Sequence, residues 1–227
     1  MEANSTFEAV FFDMDGLFLD SEPQWHEAET LMMKENGYDW QPEDQLQCLG
    51  GPLRRVAEYM SKCLSSRKSP EELEEMIIAE MTSRLSKQVP LMPGALEMSR
   101  LLNNAGIKQG LVSASPRQIV DGVINGMPEK YFDVVVGAGD TERTKPFPDP
   151  YLFAAKLLGV DISKCLIFED SPTGVKAAVA SGAFVVAIPH YVTIAETERL
   201  KVVRSFSDLT SKDLEKWQAV NLRELDK

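Results

Sequence analysis

The sequence predicts an α/β fold in which a Rossmann-like core, built on a parallel sheet, carries an inserted helical-bundle cap domain. The first observation behind this prediction is a repeated alternation of short apolar runs with stretches of helical periodicity, the pattern of a parallel sheet wrapped by helices. The runs are continuous rather than alternating, as expected of strands covered on both faces. The strand candidates are Ala9–Phe12, Gln109–Val112, Val134–Val136, Leu166–Phe168 and Phe184–Ile188.

The second observation is that residues 22–90 contain no convincing strand and are helical in pattern throughout. Candidate helices in this segment are Glu22–Asn36, Leu53–Leu64 and Pro70–Lys87. The last of them follows Ser69, a residue that caps helices, with proline at the first helical position. We therefore expect a helical cap domain at 22–90 and a core domain made of 1–21 and 91–227. The end of the chain, 211–227, predicts an amphipathic helix.

The charge balance limits the class of partner. The 227 residues include 24 Lys and Arg against 35 Asp and Glu, a formal net charge of -11, which argues against a general nucleic-acid or membrane-surface binder. A small anion can still bind where a metal ion and a few basic residues reverse the local potential. The three cysteines form no C-x-x-C pair, and the first residues lack a secretory pattern. We expect a cytoplasmic monomer that acts on a small phosphorylated metabolite.

Chemically capable side chains follow four of the strand candidates. Ligands of open parallel sheets bind outside the carboxyl ends of the strands, so such residues meet at one edge even when they are far apart in sequence. They are Asp13 and Asp15 after the first strand, Ser113 and Ser115 after the second, Lys145 after the third, and Glu169 and Asp170 after the fourth. We expect these side chains to act together.

Helix-start signals follow three of the same strands, each a capping residue before a proline: Ser115-Pro116, Asp149-Pro150 and Ser171-Pro172. The free N–H groups of a helix N-terminus favour an anion. Ser113 and the amides beyond it, beginning with that of Ala114, are therefore a candidate phosphate cradle.

The acidic residues predict a magnesium site. Carboxylates a few ångströms apart repel one another unless a cation lies between them, and Mg²⁺ prefers oxygen ligands and typically uses one or two carboxylates plus substrate phosphate. Asp13, the main chain near Asp15, and Asp170 match this description. Glu169 is either a further ligand or a partner of the ligands.

The neighbouring aspartates of D-x-D divide the expected chemistry. With a metal and Lys145 withdrawing charge, the carboxylate of Asp13 can attack phosphorus and form an aspartyl-phosphate that water later hydrolyses. Asp15 would protonate the leaving alkoxide and then accept a proton from the attacking water. The residues thus predict a Mg²⁺-dependent phosphomonoester hydrolase.

Four segments carry a family resemblance: FFDMDG, LVSAS, the lysine of RTKPFPDP, and IFEDS, in that order. They resemble the four motifs of the haloacid dehalogenase superfamily of phosphotransferases. The helical insertion is similar to that of the subfamily with a small α-helical cap, which includes β-phosphoglucomutase and many sugar-phosphate and nucleotide phosphatases. The resemblance implies that Asp13 is the nucleophile, Asp15 the acid and base, Ser113 and Lys145 phosphate ligands, and Asp170 with Glu169 the metal side.

The resemblance also points to residues of the cap. Positions that hold a histidine and a lysine in β-phosphoglucomutase hold Trp25 and Pro116 here, and DSEPxW is similar to bacterial sugar-phosphatase relatives. Gly51 and Arg54 keep the spacing of a substrate-specificity loop. We expect Trp25, Gly51 and Arg54 on the substrate side, with a sugar phosphate as the substrate.

Three alternatives stay open. A phosphomutase of the β-phosphoglucomutase kind would rephosphorylate a sugar bisphosphate in place. A nucleotide monophosphate phosphatase would share the chemistry and differ in its leaving group. A non-catalytic regulator that binds a phosphometabolite would release no phosphate from any ester in the presence of Mg²⁺.

Overall fold

A computed structural model of the protein describes residues 7–48, 52–190 and 192–225. The chain divides into two compact units, which are described one at a time. The first, here the α/β unit, consists of Met1–Asp20, Leu91–Ala114 and Glu129–Lys227. The second, the helical unit, consists of Ser21–Pro90 and Ser115–Pro128.

The α/β unit is built on a six-stranded sheet. Its strands are β1 (Ala9–Phe12), β2 (Lys108–Pro116), β3 (Val134–Ala138), β4 (Leu166–Glu169), β5 (Phe184–Ala187) and β6 (Leu200–Val202). They are ordered β3-β2-β1-β4-β5-β6, and β1 pairs in parallel with both β2 and β4. The pairings of β4 with β5 and of β5 with β6 are also parallel. The predicted Rossmann-like parallel sheet is confirmed.

Helices connect the strands and build the helical unit. They are α1 (Glu22–Glu35), α2 (Pro42–Cys48), α3 (Leu53–Cys63), α4 (Pro70–Lys87), α5 (Ala95–Asn104), α6 (Arg117–Gly126), α7 (Asp149–Leu158), α8 (Pro172–Ser181) and α9 (Ser211–Leu225). Short 3₁₀ turns lie at Ile162–Lys164 and Phe206–Asp208. Within the described ranges, every helix is too short or too polar to span a bilayer.

The centre of the sheet explains why the first strand reads as an uninterrupted apolar run. All four residues of β1 are completely buried, because side chains on both faces of the sheet meet covering elements. The ring of Phe12 stacks on that of Phe168 in the neighbouring strand, with centroids 5.3 Å apart. Burying a side chain of this size stabilises the fold by about 2–3 kcal/mol, so β1 and β4 are firmly fixed at the point where the polar residues begin.

The helical unit contains one helix start that the sequence announces and one packing that it does not. Ser69 accepts the N–H of Glu72 while the Glu72 side chain accepts the N–H of Ser69, a complete capping box for α4. Helix α6 packs closely on α4: a side chain at Gly126 would meet the carbonyl oxygen of Leu85 at 2.5 Å. The grouping of residues 115–128 with this unit was not among the sequence predictions.

Two of the predicted helix starts are wrong in position. β2 continues to Pro116, so Ser113 and Ser115 lie within the strand, and α6 begins at Arg117 without a capping side chain. The extended backbone of Pro116 (ψ 142°) prolongs the strand where a helix was expected. Asp149 lies inside the first turn of α7 rather than at its cap.

The third helix start is confirmed, because the hydroxyl of Ser171 accepts the N–H of Gly174. The sequence prediction omitted α2, a seven-residue helix of mostly polar side chains, and the three-residue strand β6. Such short elements carry too few apolar positions to show a period.

Candidate active site

Asp13 follows β1 directly, and the sheet fixes its place. Its N–H donates to the carbonyl oxygen of Phe168 at 3.0 Å, so the pairing of β1 with β4 continues for one residue beyond the strand. The chain then turns back, with the N–H of Gly16 bonded to the carbonyl oxygen of Leu19 at 2.9 Å. Asp13 and Asp15 are therefore held at the carboxyl edge of the sheet.

Lys145 lies at the centre of the site. Its Nζ donates to Oδ1 of Asp13, to Oε1 of Glu169 at 2.7 Å and to the carbonyl oxygen of Val112 at 2.8 Å. The residue is only 8% exposed. Burial acts to lower the pKa of Lys145, but attraction to Asp13 and Glu169 outweighs it and raises that pKa above its ordinary value. The side chain is thus a permanent buried cation.

Three carboxylates surround this one cation. Oxygen atoms of Asp13, Glu169 and Asp170 all lie within 4.8 Å of one another. Burial raises the pKa of Asp13 well above its usual range, an effect that Lys145 opposes and the other two acids reinforce. Burial, followed by repulsion from Glu169, raises the pKa of Asp170 to about 7. With all three ionised, the cluster carries more negative than positive charge, which a further cation would balance.

The donor set fits a hard divalent cation. It consists of carboxylate oxygens with main-chain carbonyls nearby, which is the chemistry that Mg²⁺ prefers. The glycine of FFDMDG leaves room for one of the acids: a Cβ on Gly16 would overlap the carboxylate of Asp170. Gly16 also has a left-handed backbone, with φ 81°, which disfavours a side chain at that position. This cradle keeps Asp170 beside Asp13.

Ser113 and Asp15 form a second part of the site. The hydroxyl of Ser113 donates to Oδ2 of Asp15 at 3.3 Å, although 98 positions separate them in sequence. Ser113 is buried near the end of β2, whereas the next residue, Ala114, is exposed. The structure thus brings together the predicted residues Asp13, Asp15, Ser113, Lys145, Glu169 and Asp170.

Tyr151 is a residue of this site that the sequence analysis missed. It lies on α7, is completely buried, and its hydroxyl donates to Oε1 of Glu169 at 2.6 Å. Burial and the adjacent Glu169 raise the pKa of its phenol well above the usual value. A signal was available, because a tyrosine on the buried face of a helix generally needs a partner for its hydroxyl.

The predicted substrate residues of the cap belong to the helical unit. Trp25 is partly buried on α1, in the first turn. Arg54 is exposed on α3, and its guanidinium pairs with Glu58 at 3.2 Å, Glu71 at 2.6 Å and Glu74 at 3.6 Å. Gly51 lies outside the described residues. The roles assigned to these three residues stay predictions.

Comparison with known proteins agrees with this site. The family model described as haloacid dehalogenase-like hydrolase matches residues 10–188. Hexitol phosphatase B of Escherichia coli (strain K12) is 33% identical over 214 residues, which cover 91% of this chain and 96% of that protein. The phosphorylated carbohydrates phosphatase of Thermotoga maritima is 31% identical over 176 residues, or 77% and 82% of the two chains.

Among solved structures, β-phosphoglucomutase of Clostridium difficile superposes with a TM-score of 0.76. The match covers 97% of this chain and all of that one, at 24% sequence identity. At this level of identity, the likeness concerns the fold alone.

The parallel sheet and the acidic edge with its buried lysine define the chain as an enzyme of the phosphatase class. It belongs to the haloacid dehalogenase-like hydrolases. The resemblance seen in the four sequence motifs is thereby confirmed.

Proposed function

We propose that this protein is a Mg²⁺-dependent phosphomonoesterase that removes phosphate from a small phosphorylated carbohydrate through an aspartyl-phosphate on Asp13. The observation that carries the proposal is the environment of Lys145, whose Nζ bonds both Asp13 and Glu169 in a buried site. One permanent cation beside a would-be nucleophile is the arrangement that a dianionic phosphate group requires.

Asp13 acts first, as the nucleophile. Its pKa is raised by burial, so the carboxylate needs positive neighbours to remain ionised, and Lys145 supplies one of them. A carboxylate oxygen of Asp13 forms a bond to phosphorus while the bond from phosphorus to the sugar oxygen breaks. Lys145 faces the charge on the transferred group and reduces the repulsion between the two anions.

Asp15 moves the proton in both halves of the reaction. In the first half its carboxylic acid gives a proton to the departing sugar oxygen, which leaves as an alcohol. In the second half its carboxylate takes a proton from water, whose oxygen attacks phosphorus and releases inorganic phosphate and Asp13. The hydrogen bond from Ser113 to Oδ2 of Asp15 orients the carboxyl group for this work.

Asp13, the main chain at Asp15, and Asp170 would hold Mg²⁺, with Glu169 completing the acidic set. When bound, the ion supplies positive charge that offsets the crowded carboxylates and polarises the phosphoryl oxygens. The mutual repulsion that raises the pKa of Asp170 to about 7 supports this assignment, because a cation at that point would relieve it.

The carbohydrate substrate is supported by the two relatives, one named for hexitol phosphates and one for phosphorylated carbohydrates. The test is a panel of hexose, hexitol and pentose phosphates, nucleoside monophosphates and p-nitrophenyl phosphate, with release of inorganic phosphate measured in the presence of Mg²⁺. We expect the sugar and polyol phosphates to give the highest kcat/KM. EDTA should abolish turnover and added Mg²⁺ should restore it.

Two controls make the test specific. Asp13→Asn keeps the size of the side chain and should release no phosphate above background, which shows that the activity belongs to this site. Incubation with β-glucose 1-phosphate and glucose 1,6-bisphosphate separates hydrolase from mutase. Formation of glucose 6-phosphate without loss to inorganic phosphate, or a preference for nucleoside monophosphates, would overturn the proposal.

A further inference from the structure

The mechanism above does not use Tyr151, yet this residue touches two groups of the site. Its hydroxyl is 2.6 Å from Oε1 of Glu169, and the face of its ring lies 4.9 Å from Nζ of Lys145. The side chain is fully buried on α7. Tyr151 therefore contacts both members of the ion pair between Lys145 and Glu169.

The carboxylate of Glu169 is enclosed by protein donors. Oε1 accepts two hydrogen bonds, from Lys145 at 2.7 Å and from Tyr151, and so uses the two lone pairs that a carboxylate oxygen offers. Oε2 accepts the N–H of Asp170 at 3.2 Å. On another side, Gly174 forms the wall so closely that a Cβ there would overlap the carboxylate.

Asp13 and Asp170 differ from Glu169 in this respect. Asp13 gives one oxygen to Lys145, and Asp170 lies over the bare backbone of Gly16. Among the three clustered acids, Glu169 is the one whose oxygens are engaged most fully by neighbouring donors. The enclosure makes it the counter-ion of the lysine.

We propose that Tyr151 is a positioning residue: its hydroxyl holds Oε1 of Glu169 against Lys145, so that Glu169 fixes the phosphate-binding lysine instead of binding the metal ion. The inference rests on the proposed function, in which Lys145 receives the phosphate group and Asp13 and Asp170 carry Mg²⁺. Removing the hydroxyl would free a lone pair of Oε1 for the metal and loosen the lysine. The two ligands should then respond in opposite directions.

The test is Tyr151→Phe, with binding measured by calorimetry and no phosphate ester present. We expect Mg²⁺ to bind more tightly than in the wild type by up to about tenfold, and inorganic phosphate, titrated with Mg²⁺ present, to bind more weakly by about tenfold. A hydroxyl that only satisfied burial would, on removal, weaken both ligands or neither. Tyr131→Phe is the matched control, since its hydroxyl contacts the exposed Arg100, and should change neither affinity.

A double-mutant cycle with Glu169→Gln isolates the cause. When Glu169→Gln is already present, adding Tyr151→Phe should leave Mg²⁺ affinity unchanged, because the carboxylate that the hydroxyl would release is gone. If Tyr151→Phe fails to fold, Glu169→Gln alone decides: a loss of Mg²⁺ affinity well beyond about tenfold marks Glu169 as a direct ligand and overturns the inference, and a smaller loss supports it.

The remaining outcomes are also assigned. Parallel changes in the two affinities of Tyr151→Phe, or no change in either, overturn the inference while leaving the proposed hydrolysis intact. A wild-type protein that binds Mg²⁺ and phosphate but hydrolyses no carbohydrate phosphate refutes the proposed substrate and leaves the role of Tyr151 standing.

Discussion

Each of the two units buries a glutamate, but they give these side chains very different surroundings. Glu169 in the α/β unit is completely buried and accepts hydrogen bonds from Lys145, Tyr151 and the main chain. Glu29 in the helical unit is only 3% exposed, and its Oε2 has no hydrogen-bond partner among the residues that the structure describes. Burial raises the pKa of Glu29 to about 7, which a hydrogen bond from Gln45 only partly offsets.

The difference separates two uses of a buried charge. In the α/β unit a cation compensates the acids, so they can stay ionised and serve the reaction. In the helical unit the acid is uncompensated, so its charged form lowers the stability of the fold. Changes at the first site should therefore affect catalysis most, and changes at the second should affect stability and its dependence on pH.

The largest effect is expected for Asp13→Asn. An amide cannot attack phosphorus, so kcat should fall by at least about 10⁴-fold, the scale seen when a nucleophile is removed. The melting temperature should stay close to that of the wild type, because the shape of the side chain is kept. Steady-state phosphate release and a thermal melt measure both quantities, and wild-type turnover in the variant would contradict the assignment.

Lys145→Met should damage stability as well as activity. It leaves Asp13 and Glu169 buried without their cation, which typically lowers the free energy of unfolding by about 3–5 kcal/mol. Urea unfolding at pH 8 measures the loss. Lys164→Met is the control in the same unit: Lys164 is exposed and pairs with Glu8 at 3.4 Å, so it should cost at most about 1 kcal/mol. Equal losses would refute the contrast.

Glu29→Gln should change how stability depends on pH. The pKa of Glu29 rises from an ordinary value of 4.5 to about 7 on folding, so its favourable contribution is full below pH 4.5 and is lost as the pH rises through 7. Linkage predicts that the variant gains about 3 kcal/mol relative to the wild type between these limits.

Urea unfolding at pH 4.5, 6 and 8 tests this prediction. Glu35→Gln, an exposed position on the same helix, should give a curve parallel to that of the wild type. If the Glu29→Gln curve is parallel too, the buried carboxylate is stabilised by a group that the comparison overlooks.

The smallest effect is expected for Arg54→Ala. Its ion pairs are exposed, so the free energy of unfolding should change by less than about 1 kcal/mol. If Arg54 contacts the substrate, as the sequence predicts, KM should rise by about threefold to tenfold with kcat unchanged, the result of losing one polar contact. Arg100→Ala, which breaks an exposed pair with Glu129, is the control. Equal KM values for both variants would remove Arg54 from the predicted substrate residues.

The sequence was sufficient for the parts of the molecule where chemistry and pattern coincide. Asp13, Lys145 and Asp170 each follow an apolar strand, and in a parallel sheet that order alone places them at one edge. The capping box at Ser69 could likewise be read directly, because the two interacting residues are three positions apart.

Contacts made at a distance could not be read in the same way. The hydroxyl of Tyr151 meets Glu169 only because α7 packs beside β4, and no local pattern specifies that pair. The continuation of β2 to Pro116 depends on how far strand pairing extends, whereas Ser115-Pro116 taken alone favours a helix start. The solitary burial of Glu29 is also a tertiary property, since its segment is amphipathic only weakly.

The closeness of Gly174 to the carboxylate of Glu169 limits how this edge of the sheet can evolve. A methyl group is already too large at that position, so even an alanine would push the acid toward the reacting phosphate or lift helix α8 from its neighbouring strand. The separation of a helix and a strand is in this way part of the electrostatics of the site. A drift in backbone packing of an ångström would be felt as a misplaced ammonium group.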